Sequence, residues 1–326
     1  MTLRILGAGV MGLVLATELS ARGHAVELVD PAPTPGPHAC SWWAGGMLAP
    51  YCEAESAAPA VLQHGLGAAD WWDRHTGMVR RNGTLVLTLE RDKGELARFA
   101  RRSTGHRVLD AEGVAALEPD LAGRFSAGLF YEAEAHLSPR AALAELRARL
   151  AAKGVPFHTA PPAPTPATVI DARGLAARDQ LGDLRGVRGE MLVLRCPDVT
   201  LSRPVRLLHP RIPLYIVPRG DGVFMLGATM IESDRRGPVT VRSVLELLSA
   251  AYALHPAFGE AELLETGADA RPAFPDNLPR LRRQGGTLYA NGLYRHGFLL
   301  SPAVAGMAAD HLETGIIPEF MEESQT

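Results

Sequence analysis

Gly7-Ala8-Gly9-Val10-Met11-Gly12 follows directly on the short apolar run of residues 3–6, near the start of the chain. Residues 10–22 have the pattern of a helix, and residues 25–29 form a strand-like run that closes on Asp30. A strand, a glycine turn, a helix, a second strand and a terminal acid, in this order, predict a βαβ unit that binds a dinucleotide.

Each glycine of this turn has a physical task in such a unit. Gly7 permits the tight turn, Gly9 lets the backbone approach a pyrophosphate, and Gly12 permits close packing of the helix on the strand. The amide groups of the first helical turn then face the phosphate charge. The carboxylate of Asp30 can accept hydrogen bonds from a ribose hydroxyl.

The composition excludes several other classes of protein. The chain has 326 residues, of which 47% are hydrophobic and 21% charged, as in an ordinary globular protein. A net charge of −3 gives no basic field for nucleic acid. Cys40, Cys52 and Cys196 form no C-x-x-C pair, so we expect neither a disulfide framework nor a metal site. With no secretory signal and no apolar run of about 18 residues, we expect a cytoplasmic protein without a membrane span.

The chain returns to a glycine-punctuated segment close to its end. Residues 291–302 read Asn-Gly-Leu-Tyr-Arg-His-Gly-Phe-Leu-Leu-Ser-Pro, and Ser301-Pro302 predicts the start of a helix through His311. A nicotinamide enzyme normally finishes its cofactor domain early, whereas contacts at both ends of the chain suit a longer cofactor. The two segments together therefore indicate FAD rather than NAD. The positive end of this helix would stabilise negative charge on the flavin ring.

The middle of the chain predicts a second, antiparallel domain inserted between the cofactor-binding pieces. Residues 190–195 and 214–217 are strand-like, and 223–226 pairs back across a turn at 219–222. A helix then begins after Pro238. One face of that helix carries Val241, Val244, Leu245, Leu248 and Tyr252.

Other segments belong with the dinucleotide unit. A strong helix is predicted over 138–153, with Ser138 as cap and Pro139 as first residue. A Pro-rich link over 161–167 leads to a buried strand-like run at 169–174. Near the start, the small residues and the Gly-Gly pair of segment 41–50 allow backbone to lie close to a flat group.

Five places in the chain carry a resemblance to a known family. They are the opening βαβ unit, residues 41–50, residues 215–229, Arg271-Pro272, and residues 291–302. Gly46-Met47-Leu48, Gly227-Ala228-Thr229-Met230 and the C-terminal motif narrow the match. On these motifs the chain resembles the FAD-dependent D-amino-acid oxidase family, which includes sarcosine oxidase. It is most similar to the glycine oxidases of thiamin biosynthesis. The resemblance extends over almost the whole chain.

The resemblance implies an α/β fold, α+β overall, with a glutathione-reductase-type Rossmann FAD domain and a second, antiparallel-sheet substrate domain. We expect residues 1–80, 138–185 and 265–326 in the discontinuous FAD-binding domain. Residues 81–137 and 186–264 would form the substrate domain. The cofactor is expected to be non-covalent FAD.

The resemblance also implies roles for particular residues. Arg271 stands where the family grips the substrate carboxylate, and a guanidinium suits this because it presents a flat, bidentate fork. Tyr215 and Arg295 match further substrate-site residues, and Met230 matches a wall of the same pocket. The cofactor-binding residues implied by motif are Gly7, Gly9, Gly12, Asp30, Ser41, Ala44, Gly45, Gly46, Met47, Gly174, Arg295, His296, Gly297, Phe298 and Leu299.

The implied activity is oxidation of glycine, and of other small amino acids, to the imine or glyoxylate with ammonia and hydrogen peroxide. The substrates would be a small amino acid and oxygen, and a thiazole synthase would receive the imine. The chain would form a homo-oligomer, and it would bind neither nucleic acid nor a membrane. An oxidase or dehydrogenase for sarcosine or D-amino acids stays open. So do an NAD(P)-dependent dehydrogenase and a non-catalytic flavin-binding module.

Three features depart from the family pattern. The Pro-rich link at 161–167 replaces a small β-meander, Asp171-Ala172-Arg173-Gly174 replaces a run of smaller residues, and His296 stands where related glycine oxidases often have asparagine. These departures leave the adenine side of the cofactor site and the choice of substrate open.

Overall fold

The computed structural model describes residues 2–163, 167–209 and 213–322. Its strands are β1 (Thr2–Leu6), β2 (Ala25–Val29), β3 (Met47–Leu48), β4 (Thr84–Thr88), β5 (Arg107–Asp110), β6 (Ala127–Tyr131), β7 (Ala135–His136), β8 (Phe157–His158), β9 (Ala167–Asp171), β10 (Arg185–Arg195), β11 (Val205–Leu208), β12 (Leu214–Gly220), β13 (Val223–Gly227), β14 (Ile231–Glu232), β15 (Glu262–Ala273), β16 (Arg280–Gln284), β17 (Thr287–Asn291) and β18 (Met321–Glu322). Its helices are α1 (Val10–Ala21), α2 (Pro50–Glu53), α3 (Pro59–Gly65), α4 (Ala68–Thr76), α5 (Lys93–Arg102), α6 (Ala111–Leu117), α7 (Pro139–Ala152), α8 (Val241–Leu254) and α9 (Gly297–Thr314).

The first large sheet is built around the predicted βαβ unit. Its strand order is β18-β16-β17-β9-β1-β2-β8, and β1 pairs in parallel with both β2 and β9. The helices α1, α7 and α9 pack together on this sheet and bury one apolar core with it. Because parallel strands end at the same edge, Gly7, Asp30 and the segment after Asp171 meet there.

The second large sheet is mostly antiparallel. Its order is β14-β10-β13-β12-β11-β4-β6-β5, with β15 paired to β10, and β4 and β11 are its parallel neighbours. The predicted hairpin is present as β12 and β13, with Tyr215 opposite Gly227. The predicted mixed fold, with a parallel dinucleotide sheet and an antiparallel second sheet, is confirmed. The domain boundaries given above stay a prediction.

The C-terminal helix begins earlier than predicted. α9 begins at Gly297, so Pro302 lies inside the helix rather than at its first position. A proline has no N–H, and Pro302 therefore leaves the carbonyl of Phe298, four residues before it, without its helical partner. Trp72 Nε1 donates to that carbonyl at 2.7 Å, and Trp72 is fully buried. A side chain from a distant helix thus satisfies the group that the proline leaves open.

The helix after Pro238 is present as α8, but only part of the apolar face marked by its sequence is packed: Val244 and Leu248 lie partly buried against the core of the second sheet, and the other three residues are exposed. Val241 is 77% exposed, Leu245 61% and Tyr252 57%. The residues buried against the second sheet are Ser243, Leu247, Ala251 and Leu254. Both stripes have helical spacing, and the smaller residues of the buried stripe let the helix lie close to the sheet.

Two further predictions concern the links and the membrane. The Pro-rich link is described only in part, because residues 164–166 lie outside the described ranges, and β9 begins at Ala167. Within the described ranges, no helix is both long enough and apolar enough to cross a membrane.

Candidate active site

One cavity of about 1290 Å³ lies at the carboxyl edge of the first sheet and reaches the second sheet. Pockets for drug-sized ligands have volumes of about 300–1,000 Å³, so this one has room for a dinucleotide and a small substrate. Of the residues predicted for the site, all but Gly12 line it. They are Gly7, Gly9, Asp30, Ser41, Ala44, Gly45, Gly46, Met47, Gly174, Tyr215, Met230, Arg271, Arg295, His296, Gly297, Phe298 and Leu299.

The glycine turn has the geometry that close packing demands. Gly7 has a φ of +94°, and a Cβ there would lie 2.7 Å from the carbonyl oxygen of Ala172. A Cβ on Gly12 would lie 1.8 Å from the carbonyl oxygen of Gly7, so Gly12 supports the turn from behind the cavity. By contrast, a Cβ on Gly9 would meet only Ser41 Oγ, at 3.6 Å. The space in front of Gly9 is open toward the cavity.

Two loops hold the entry to α1. Asp30 Oδ2 accepts a hydrogen bond from the Ala8 amide at 2.7 Å, which ties the end of β2 to the glycine turn. Ser41 Oγ accepts from the Val10 amide at 3.3 Å. Elsewhere in the cavity wall, Asn291 Nδ2 donates to the Gly174 carbonyl at 2.9 Å, which ties the end of β17 to the segment after β9.

These residues fit FAD. The N-terminal ends of α1 and α9 both face the cavity, and helix amides there favour negatively charged groups. The glycine turn offers open backbone for a pyrophosphate, and the buried Nδ1 of His296 has no hydrogen-bond partner in the described chain. A long anionic cofactor with polar edges meets both requirements.

Arg219 holds the Gly45-Gly46 segment in place. Its guanidinium donates to the carbonyls of Leu137 at 3.0 Å and Gly45 at 2.8 Å. Burial without a carboxylate partner in the described ranges lowers the pKa of Arg219 to about 10. Gly46 has a φ of +72° and no room for a Cβ, which would lie 2.3 Å from the Leu137 carbonyl oxygen. The sequence placed Arg219 in a turn and gave no sign of this role.

Arg271 and Tyr215 lie on the side of the cavity formed by the second sheet. Arg271 Nη1 donates to the Thr229 carbonyl at 3.2 Å, and no described carboxylate pairs with its guanidinium. The guanidinium lies flat against Gly189, where a Cβ would be 2.1 Å from Nη2. The side chain of Tyr215 is enclosed by Gly45 and Gly227, at which added Cβ atoms would lie 2.9 Å from its Cε2 and 2.5 Å from its hydroxyl oxygen. Burial raises the pKa of Tyr215 although Arg271 opposes this, so the hydroxyl keeps its proton at neutral pH.

Arg295, by contrast, is paired with side chains of the protein itself. Its Nε lies 2.9 Å from Glu53 Oε2, and its Nη2 donates to Ser56 Oγ at 2.8 Å. Its Nη1 lies 3.6 Å from the sulfur of Met230. Glu53 also accepts from Arg206, at 2.5 Å, and its Oε2 lies 3.0 Å from His296 Nε2.

Glu53 and Arg206 were missed by the sequence reasoning. The signal available was a charged residue in an apolar strand, since Arg206 is the second residue of β11, Val-Arg-Leu-Leu. Glu53 is the last residue of the four-residue helix α2, where a charge is unremarkable. Only the fold shows that the two meet.

Comparison with known proteins agrees with this geometry. The model of the family described as FAD dependent oxidoreductase matches residues 3–311, and the chain belongs to that family. Its cofactor is therefore FAD.

Three comparisons narrow the class. The chain is 55% identical over 318 residues to "Putative thiamine biosynthesis oxidoreductase ThiO" of Rhizobium etli, covering 96% of this chain and 97% of that protein. It is 27% identical over 340 residues to "Bifunctional protein ThiO/ThiG" of Synechocystis, covering 94% of this chain and 50% of that protein. A crystal structure of glycine oxidase from Geobacillus kaustophilus superposes with a TM-score of 0.80 at 24% identity, covering 95% of this chain and 94% of the other.

Proposed function

We propose that this protein oxidises glycine with FAD to the imine or glyoxylate, with release of ammonia and hydrogen peroxide. The observation that carries the proposal is Arg271, a partly buried guanidinium in the cavity with no carboxylate partner among the described residues. A cation in such a place is expensive unless an anion binds to it. The similarity to a ThiO and to glycine oxidases supports glycine as that anion.

The chain's own residues would bind and orient the substrate. Arg271 would bind the carboxylate through two parallel hydrogen bonds, and the protonated hydroxyl of Tyr215 would donate a third. Met230, which lines the cavity and is 51% exposed, would form part of its wall. FAD would be held by the glycine turn and the N-terminal end of α9, and it would supply the hydride acceptor. The amides of Gly297 and Phe298 would stabilise negative charge at that end of the cavity.

The experiment is an absorption spectrum of the FAD-loaded protein, taken anaerobically before and after glycine is added. We expect the flavin bands to bleach, and to return with hydrogen peroxide when air enters. If glycine leaves the bands unchanged but sarcosine or a D-amino acid bleaches them, the protein is an oxidase of the same class with a different substrate. Bands that return only with an artificial acceptor would make the protein a dehydrogenase.

Arg271→Lys provides the matched control for the substrate site. A lysine keeps the charge but loses the bidentate fork. We expect the variant to keep its FAD and to require about tenfold or more glycine for the same reduction. Loss of FAD with unchanged affinity for glycine would contradict the role given to Arg271.

We further propose that the product passes to a thiazole synthase. The fused ThiO/ThiG relative supports this, since the two activities share one chain there. Adding excess thiazole synthase should then lower the glyoxylate released per glycine consumed. Homo-oligomer formation and a cytoplasmic location stay predictions; the free cysteines Cys40, Cys52 and Cys196 are consistent with a reducing compartment.

A further inference from the structure

Glu53 stands at the centre of a cluster in the cavity wall. The Glu53 cluster consists of Glu53, Arg206, Arg295 and His296, and all four line the cavity that contains Arg271. One carboxylate oxygen accepts from Arg206 at 2.5 Å, and the other lies 2.9 Å from Arg295 Nε and 3.0 Å from His296 Nε2. Both oxygens of Glu53 are thus used.

The charges of the cluster follow from these contacts. Burial opposes the ionisation of Glu53, but Arg295 and Arg206 outweigh it and hold the pKa of Glu53 well below its usual range. Burial likewise opposes the charge of Arg206, yet Glu53 and neighbouring acidic groups, including Glu134, raise the pKa of Arg206. Burial lowers the pKa of His296, so its imidazole is neutral at pH 7.

Arg206, Arg295 and Arg271, three of the arginines that line the cavity, therefore differ in the groups they already bind. Arg206 and Arg295 face an internal carboxylate that is held in place by the fold. Arg271 faces a backbone carbonyl and no described carboxylate. The first carboxylate of a substrate can bind Arg271, which has no carboxylate partner among the described residues. A second acidic group could bind Arg206 or Arg295 only by displacing Glu53, and the negative charge of Glu53 would repel it.

We propose that Glu53 is a specificity-determining residue, which occupies Arg206 and Arg295 and so restricts the site to amino acids with a single carboxylate. The proposal rests on the proposed function, because it assigns the substrate class of the same cavity. It predicts that removing the charge of Glu53 opens the site to dicarboxylates. Arg206 and Arg295 would then bind the second acidic group.

The test is a binding measurement with two probes of equal shape. Malonate carries two carboxylates, and malonamate replaces one of them by a neutral amide. Their dissociation constants are read from the shift of the flavin absorption bands in the oxidised, FAD-loaded protein, without turnover. For the wild-type protein we expect malonamate to bind at least as tightly as malonate. Tighter binding of malonate by about tenfold would overturn the proposal, since a charge-assisted hydrogen bond is worth that much.

The variant Glu53→Gln keeps the shape and removes the charge. We expect the preference to shift toward malonate by about tenfold or more. The matched control is Glu55→Gln, because Glu55 lines the same cavity but lies 3.4 Å from Arg102 instead. In that control we expect the malonate preference of the wild-type protein. A Glu53→Gln preference within twofold of wild type would also overturn the proposal.

The outcomes separate this inference from the proposed function. If glycine bleaches the flavin bands but Glu53→Gln has the probe preference of the wild-type protein, the role of Glu53 is refuted and glycine oxidation stands. A shifted preference in a protein that glycine never reduces would sink glycine oxidation and keep the role of Glu53. Glu53→Gln removes the negative charge that Arg206 faces and so lowers stability. Should that variant fail to fold, the wild-type comparison still decides.

Discussion

Replacing Gly189 by alanine tests how the cavity positions Arg271. Gly189 lies on β10 opposite Asp269, and its backbone has no positive φ, so alanine is conformationally allowed. The new Cβ would lie 2.1 Å from Nη2 and 2.3 Å from Cζ of Arg271. Ordinary contacts between such atoms are about 3.5 Å, so the guanidinium must move by roughly 1.4 Å.

The guanidinium is the far end of a flexible side chain, and it can move without disturbing the strand. We therefore expect Gly189→Ala to weaken the binding of the substrate rather than the stability of the fold. A displacement of about 1 Å at a positioning group can cost about 100-fold, or about 2.7 kcal/mol. We expect kcat/KM for glycine to fall by that factor, with FAD occupancy unchanged and the free energy of unfolding changed by less than about 1 kcal/mol.

The assay combines steady-state peroxide formation with urea unfolding of the same preparation. Gly94→Ala is the control, because Gly94 lies in α5 and a Cβ there meets nothing within 4 Å. A Gly189→Ala protein with kcat/KM within threefold of wild type would refute the reasoning. It would mean that the position of Arg271 against Gly189 does not matter for the reaction.

Three further changes test the cofactor turn, the start of α9 and a buried histidine. Gly9→Ala should lower FAD affinity by about tenfold or more without lowering the stability of the FAD-free protein, since the only contact of its Cβ would be with Ser41 Oγ, at an ordinary 3.6 Å. Full FAD occupancy at stoichiometric FAD would count against the phosphate site. Trp72→Phe should lower the free energy of unfolding by about 1–3 kcal/mol, because the Phe298 carbonyl loses its hydrogen-bond donor. Adding Pro302→Ala should recover part of this loss, because alanine restores an N–H for that carbonyl. An equal loss from Trp72→Phe with Pro302 and with Pro302→Ala would refute this. Burial lowers the pKa of His136 to about 4, so the unfolded chain alone takes up this proton between pH 6.5 and 4, and stability falls as the pH falls through that window. Between pH 7 and 4.5 the wild-type protein should lose about 2.4 kcal/mol more than His136→Asn in urea unfolding, and parallel losses would contradict the assignment.

The parts of the fold that the sequence predicted best are those with local causes. The opening βαβ unit depends on a glycine turn and two apolar runs that are adjacent in the chain, and the β12–β13 hairpin depends on a glycine-rich turn. Both are present where they were predicted. Local chemistry suffices for them because each element contacts its neighbour in sequence.

The predictions for α9 and α8 were inaccurate where contacts with residues far away in the chain determine the structure. Pro302 follows Ser301 in a pattern typical of a helix start, but Trp72 makes an earlier start possible by donating to the Phe298 carbonyl. In α8 two stripes have helical spacing, and the second sheet packs on the one with smaller residues. Neither outcome can be derived from the segment itself.

The candidate site divides in the same way. Motif spacing predicted the glycines that line the cavity, and the family resemblance predicted Arg271. Glu53, Arg206 and Arg219 instead make contacts between segments far apart in the chain. Buried ion pairs leave no periodic pattern in a sequence. Their presence follows only from which strands and helices meet.

The strand order of the first sheet has a consequence for synthesis on the ribosome. β1 lies between β2 and β9, β9 pairs in turn with β17, and α9 packs on α1. The opening βαβ unit is therefore synthesised long before its partners. At about 5–20 residues per second, it waits on the order of tens of seconds for residues 287–314. During that time its apolar surfaces are open to chaperones, and the nascent chain can capture its flavin only after residues 287–314 have been synthesised.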